Sequence, residues 1–142
     1  MAVMQISVSL RNVPGSLLKV SDILDNEGIA AKAILAASDA EQSVVRLVVN
    51  DPQRAATVLE SFQFTYEISP VLAAEVPLHP GGMTAILKHL AENDINVHYL
   101  YTTINRFGRE TIVIIGVDRY EEGRKVLERN WIHLVGEEIY TL

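Results

Sequence analysis

The sequence contains no cysteine, and this absence excludes disulfide bonds and every site that depends on a thiolate. Basic residues are not in excess either, since 12 Lys and Arg stand against 18 Asp and Glu and the formal net charge is -6. A protein that binds nucleic acid needs a basic face toward the phosphates. We therefore expect no nucleic-acid partner.

Long apolar runs are missing as well. The longest, TIVIIGV (111–117), is far shorter than the roughly 20 residues that a membrane helix requires. The start, MAVMQISVSL, alternates apolar and polar residues and lacks the charged head and apolar run of a signal peptide. These features predict a soluble, cytoplasmic protein without a membrane partner.

The chain does contain enough apolar sequence for a core, and it repeats itself. Its 142 residues are 49% hydrophobic, which suits one ordinary domain or two very small ones. A shift of about 66 residues brings Pro14-Gly15 onto Pro80-Gly81. The same shift aligns four apolar pairs: Leu17 with Met83, Val20 with Ile86, Leu24 with Leu90, and Ile29 with Ile95. One supersecondary unit is therefore used twice.

The first copy has the pattern strand, helix, strand, strand, helix, strand. Alternation in MQISVSL (4–10) predicts a half-buried strand, and apolar residues at helical spacing predict a helix that ends at Gly28. Residues 30–38 and 42–50 read as a hairpin, and residues 63–72 as the closing strand. Asp51-Pro52 predicts a capped helix start with proline at the first helical position.

The second copy repeats this plan. Residues 72–78 form its first predicted strand, and residues 96–104 and 110–117 form a hairpin that turns at NRFGR. Asp118 with Glu121 is interpreted as the capping pair of the last helix, and residues 131–142 end the chain.

Two such patterns predict an α+β protein of two ferredoxin-like βαββαβ units, each with a four-stranded antiparallel sheet and two helices. We place the units at 3–72 and 73–142. No Gly/Ser-rich linker separates them, so we expect them to pack side by side.

The turns carry a resemblance to a known family. The motifs are NVPGSL (12–17), NEGI (26–29), HPGGM (79–83), ENDINV (92–97) and HYLYT (98–102). In this frame the chain resembles a free-standing tandem ACT-domain protein. The resemblance implies a regulatory protein that binds a free amino acid between two ACT units. It further implies a homodimer and, as a possible partner, an enzyme that it regulates.

Elementary chemistry agrees with such a ligand. Free backbone N–H groups at a helix start favour a carboxylate through hydrogen bonds and the helix dipole. Gly15 lets the backbone approach the ligand closely because it has no side chain. Asn12 offers both a donor and an acceptor, so it can serve either end of a zwitterion.

The family resemblance also implies which residues bind. These are the loop residues Asn12, Val13, Pro14, Gly15, Ser16 and Leu17, and the strand-start residues Asn96, Val97 and His98. The repeat offers a second pairing of a loop with a strand start, in which Leu78 takes the place of Asn12 and Ala30 takes the place of Asn96. Neither residue can form such side-chain hydrogen bonds. We therefore expect one competent site and one degenerate site, formed either within a chain or across a dimer.

Each of these residues also has a structural interpretation. Asn12 and Asn96 can serve only as turn or cap residues, and His98 can lie at the surface. Tyr99 and Tyr101 share a strand face, where aromatic residues commonly pack. Two arginines in the hairpin turn, Arg106 and Arg109, are expected to be solvated.

Catalytic motifs are not recognisable. The four histidines, His79, His89, His98 and His133, lack metal-ligand spacing on one helix face, and neither a G-x-S-x-G elbow nor a phosphate loop is present. We expect no enzymatic activity and no cofactor. The main alternative to an amino-acid sensor is a ligand-free dimerisation or docking module, and a small enzyme is a third, weaker interpretation.

Overall fold

The structure is a computed structural model that describes residues 2–77, 79–103 and 111–142. Within these residues the fold is α+β, with six strands in antiparallel pairings, four α-helices and a short 3-10 helix at Glu137–Thr141. The elements are β1 (Val3–Arg11), α1 (Ser16–Asn26), β2 (Ala31–Ser38), β3 (Gln42–Val49), α2 (Pro52–Ser61), β4 (Thr65–Val76), α3 (Gly82–Glu92), β5 (Val97–Thr102), β6 (Thr111–Val117) and α4 (Tyr120–Arg129).

The chain divides into two compact units. The first unit contains Met4–Ser69 and Tyr140–Leu142, and the second contains Pro70–Ile139 with the start of the chain. In the first unit β1 and β2 both pair with β3, and β4 lies next to β1. In the second unit β4 and β5 both pair with β6. The domain bounds 3–72 and 73–142 remain a prediction.

The strand count differs from the predicted eight. The strands predicted at 63–72 and 72–78 form one strand, β4, because no glycine interrupts this segment and the exposed Pro70 leaves the backbone extended. The closing strand predicted within residues 131–142 is reduced to an isolated bridge between Ala74 and Leu134. The 3-10 helix Glu137–Thr141 follows it.

The two copies bury corresponding side chains. In the first unit the core contains Ile6, Val8, Leu10, Val20, Leu24, Ile29, Val45, Leu47, Val49, Ala55 and Leu59. In the second unit it contains Leu72, Ala74, Val76, Ile86, Leu90, Ile95, Val113, Ile115, Val126 and Leu127. Ile29 corresponds to Ile95 and Leu59 to Leu127, so the second copy is two residues longer in between. The repeat seen in the sequence is therefore a repeat of the buried pattern.

Helix capping confirms one prediction and corrects another. Asp51 caps α2, since its Oδ1 accepts a hydrogen bond from the Arg54 N–H at 3.2 Å, and Pro52 occupies the first helical turn. The predicted capping role of Asp118 is wrong, because the residue before α4 is Arg119. Asp118 corresponds to Asn50 rather than to Asp51, and its carboxylate bonds to the start of β5 instead.

Candidate functional site

The predicted binding loop, residues 12–17, contains a left-handed glycine at the start of α1. Gly15 has φ 86° and precedes a helix that receives no side-chain cap. The Ser16 N–H donates to the Val13 carbonyl at 3.2 Å. In the described part of the chain, the N–H groups of Leu17 and Leu18 have no acceptor. The first turn of α1 is thus open to an external anion.

Asn12 is anchored to the turn between β2 and β3. Its side-chain N–H donates to the Asp39 carbonyl at 2.8 Å, and its backbone N–H donates to the Glu41 carbonyl at 2.9 Å. Its Oδ1 accepts no hydrogen bond among the described residues. The amide therefore combines a structural role with a free acceptor that could receive an ammonium group.

Asp39 stabilises the turn that holds Asn12. Its Oδ1 accepts the N–H groups of Glu41 and Gln42 at 2.9 and 2.8 Å. These hydrogen bonds favour the ionised carboxylate, and they lower the pKa of Asp39 below its ordinary value. Because the pKa of Asp39 is depressed in the folded state, its ionised carboxylate stabilises the fold at neutral pH. This stabilisation is lost as the pH falls through the folded-state pKa of Asp39.

Replacing Asp39 by Ala is expected to make the melting temperature less sensitive to acid. The wild-type protein should lose more stability between about pH 7 and about pH 2.5, because only it protonates a carboxylate that the turn holds ionised. Thermal denaturation followed by circular dichroism measures the difference. Asp22→Ala, at an exposed carboxylate on α1, is the control. Equal acid sensitivity of wild type and Asp39→Ala would contradict this role of the turn.

The second predicted cluster, Asn96–His98, lies at the start of β5. The Asn96 N–H donates to Asp118 Oδ1 at 3.1 Å, and the Asp118 N–H donates back to the Asn96 carbonyl at 3.2 Å. The first unit has the same arrangement, in which Ala30 is bonded by Asn50. Because Ala30 fulfils the structural role without a polar side chain, the exposed amide of Asn96 is not needed for it.

A β-bulge at the start of both second strands affects the neighbouring residues. The register shifts between Ala31 and Ala33 in the first unit and between Val97 and Tyr99 in the second. His98, which lies at the second bulge, is exposed and Val97 is half-buried. Bulges commonly re-aim side chains near binding sites.

Each predicted cluster lies in its own unit, residues 12–17 in the first and residues 96–98 in the second. Their pairing into one site stays a prediction. Gly81, the counterpart of Gly15, has φ 94°. Leu78, Arg106 and Arg109 lie outside the described residues.

The two tyrosines of β5 pack against each other, as the structural interpretation of these residues predicted. Tyr101 is buried, Tyr99 is half-buried, and their stacked rings have centroids 6.3 Å apart. Tyr99 lies opposite Gly116 of β6, a contact that the sequence analysis missed. The isolated glycine in an apolar strand was the available signal.

Sequence reasoning also missed three supporting residues: Asp39, which bonds Asn12, Asp118, which bonds Asn96, and Asn50, which bonds the counterpart Ala30. The signal for the last two was an Asn or Asp at the same position of both copies, directly after the third strand.

Among the residues that the structure describes, no group of three His, Asp or Glu side chains could hold a metal ion. No described helix is long and apolar enough to cross a membrane.

Comparison with known proteins identifies the family. The ACT domain pair model matches residues 1–141, and the chain belongs to this family of regulatory domains. No curated protein matches the chain.

Solved structures show the same fold. Protein BT0572 from Bacteroides thetaiotaomicron is 26% identical, with a TM-score of 0.91, over 100% of this chain and 98% of that one. The ligand-free regulatory subunit of aspartate kinase from Thermus thermophilus is 18% identical, with a TM-score of 0.59, over 90% and 91%. The corresponding subunit from Thermus flavus is 19% identical, with a TM-score of 0.58, over 89% and 90%.

Proposed function

We propose that the protein is a non-catalytic sensor that binds a free amino acid. The ligand binds to the loop Asn12–Leu17 of one ACT unit and to Asn96–His98 of another, within one chain or across a homodimer. Occupancy then changes assembly or the contact with a regulated enzyme. Membership in the ACT domain pair family supports the regulatory class.

The open first turn of α1 carries this proposal. No side chain of the described residues caps its N–H groups, whereas α2 is capped by Asp51. A carboxylate of the ligand would satisfy these donors and interact favourably with the helix dipole. Asn12, positioned by the β2–β3 turn, offers its free Oδ1 to the ammonium group.

The other pairing of loop and strand is proposed to be inactive. Its loop position is Leu78 and its strand-start position is Ala30, neither of which offers a polar side chain. One amino acid per pair of ACT units is the expected stoichiometry. Isothermal titration calorimetry measures this number directly, and two equivalent sites would contradict the asymmetry.

A thermal-shift panel of the common amino acids tests the proposal. A ligand at about 100 times its dissociation constant should add about 2.7 kcal/mol of stability, a melting shift on the order of 5–10 °C. Asn12→Ala and Asn96→Ala should each weaken binding by about 1–3 kcal/mol, because polar groups of the ligand lose their partners. Light scattering with and without the bound amino acid reports any change in assembly.

Two variants control for general effects. Asn93→Ala removes the same kind of bond as Asn12→Ala, since the Asn93 amide donates to the His89 carbonyl at 2.8 Å, and should leave amino-acid affinity unchanged. Ala30→Gly, at the counterpart of Asn96, should also leave it unchanged. A hit whose affinity is insensitive to Asn12 and Asn96 would place the ligand elsewhere.

Exposed apolar side chains favour a second candidate function, a ligand-free docking module. Val13, Leu17 and Leu18 are 48%, 44% and 62% exposed, and Ile34 on β2 is 43% exposed. Leu17 and Ile34 also line a small cleft of about 60 Å³ between α1 and the sheet. No melting shift with any amino acid would favour this module over the sensor.

A further inference from the structure

A groove of about 340 Å³ lies in the second unit, between the end of α3 and the outer face of α4. It does not include any residue of the predicted amino-acid site. Three cationic side chains line it, Arg119, Lys125 and Arg129, together with two carboxylates, Glu122 and Glu128. Cations thus outnumber carboxylates by three to two in this lining, whereas the chain as a whole has a net charge of -6.

The positive charge of this groove is only partly balanced. Glu128 is engaged by Arg124, with the Arg124 Nη1 to Glu128 Oε1 distance at 3.0 Å. Within the described ranges, Lys125 and Arg129 form no ion pair or hydrogen bond. Glu122 is thus the one carboxylate lining the groove without an ion pair among the described residues.

Arg119 is held in place at the end of α3. Its Nη2 donates to the carbonyls of Asn93 and Asp94 at 3.1 and 2.7 Å. Asn93 is the C-cap residue of α3 and Asp94 follows it, so the guanidinium lies at the end of the helix where carbonyls are left unsatisfied. The guanidinium therefore offsets the negative end of the helix dipole at this side of the groove.

Trp131 lies just beyond α4, where Asn130 separates it from Arg129, and it is not one of the residues that line the groove. It is the single tryptophan of the sequence and is 94% exposed. Its backbone has φ 63°, a conformation that is rare for a bulky residue, and its N–H donates to the Glu128 carbonyl at 3.2 Å. An exposed indole in an unfavourable backbone conformation contributes little to folding.

The first unit provides an internal comparison. The positions of Arg119, Lys125, Arg129 and Trp131 correspond there to Asp51, Thr57, Ser61 and Gln63, by the same shift that relates Leu59 to Leu127. Gln63 adopts the same φ of 63°. Arg54 and Glu27 of the first unit form an ion pair at 3.0 Å. In the second unit Glu122 takes the place of Arg54 and Asn93 takes the place of Glu27.

Because the first unit forms the same elements without these residues, and Lys125, Arg129 and the indole make no contact with the fold's polar groups within the described residues, the fold does not require these three side chains. We propose that the α3–α4 groove and Trp131 bind a nucleoside phosphate. The phosphates contact Arg119, Lys125 and Arg129, and the base stacks on the exposed indole. Arg and Lys bind phosphate oxygens through charge-assisted hydrogen bonds, and aromatic side chains are sequence-tolerant stacking platforms for bases.

The single tryptophan allows a direct test with the full chain. ATP without metal is titrated while the fluorescence of Trp131 is followed, and calorimetry measures the dissociation constant. We expect quenching that saturates at millimolar concentration or below. Adenosine and inorganic triphosphate, the two parts of ATP, should each bind at least about tenfold more weakly than ATP, because each makes only part of the contacts.

Variants that carry the corresponding residues of the first unit separate the contribution of the indole to ATP binding from that of the cations. Trp131→Gln and the double variant Lys125→Thr with Arg129→Ser should each weaken ATP binding by about tenfold or more in calorimetry. Both should fold, since the first unit contains these residues at the same positions. Lys88→Gln, on the exposed face of α3, is the control and should bind ATP like the wild type.

Three results would overturn the proposal. The first is no binding of ATP at millimolar concentration. The second is inorganic triphosphate binding as tightly as ATP with no effect of Trp131→Gln, which would define a simple anion site. The third is ATP affinity that the double variant leaves unchanged.

Discussion

Replacing Leu127 by Ala is expected to lower the free energy of unfolding by about 2–5 kcal/mol. The Leu127 side chain is 0% exposed and belongs to the core of the second unit. Truncation removes buried apolar surface and leaves a cavity that the surrounding side chains fill only in part. Urea denaturation followed by circular dichroism measures the change through the midpoint and slope of the transition.

The repeat offers a matched variant in the first unit. Leu59 occupies the corresponding position, is also 0% exposed, and should cost a comparable amount when replaced by Ala. Leu18→Ala is the control, because Leu18 is 62% exposed and its truncation should change stability by less than about 0.5 kcal/mol. If Leu127→Ala cost no more than Leu18→Ala, the assignment of the second core would be wrong.

Replacing Gly116 by Ala is expected to destabilise the protein by about 1–3 kcal/mol. Gly116 lies in β6 directly opposite Tyr99 of β5, and the tyrosine ring covers the glycine. An added Cβ would lie 2.5 Å from Tyr99 Cε1 and closer still to Cζ, so the ring has to leave its place. It would then lose its stacking on Tyr101. Chemical denaturation again measures the cost.

A double-mutant cycle shows whether the ring causes this effect. Gly116→Ala combined with Tyr99→Ala should cost less than the two single changes added together, by about 0.5–3 kcal/mol, because the clash is absent once the ring is removed. Additive costs would mean that the glycine is needed for another reason. Tyr99 is next to His98, so the cycle also reports how firmly this part of the predicted binding strand is held.

Local signals predicted most of the elements correctly. The cap at Asp51, the end of α1 near Gly28 and the hairpin of β2 and β3 all depend on residues close in sequence. Local signals were not sufficient where two strands were predicted next to each other, at 63–72 and 72–78. Residues 63–78 were divided into two strands that meet at residue 72, but the backbone continues through this position as the single strand β4.

The candidate site was predictable only in its parts. Gly15 was singled out in the sequence because it has no side chain, and the structure adds that its backbone is left-handed, with φ 86°. The hydrogen bond from Asn12 to Asp39 joins residues that are 27 positions apart, and the one from Asn96 to Asp118 joins residues 22 apart. Local periodicity and turn motifs do not contain such information, and only the shared Asn or Asp after the third strand of each copy pointed to two of the supporting residues.

The sequence by itself determined the repeat, the α+β class and the family, because these follow from the order of apolar positions and turn residues along the chain. The tertiary structure decided which polar groups are already engaged within the fold. Among the described residues, one Asn12 donor and the Asn96 backbone are used, whereas the N–H groups of Leu17 and Leu18 and the indole of Trp131 have no partner. Hydrogen-bond satisfaction and exposure depend on neighbours in space, and composition alone does not specify them.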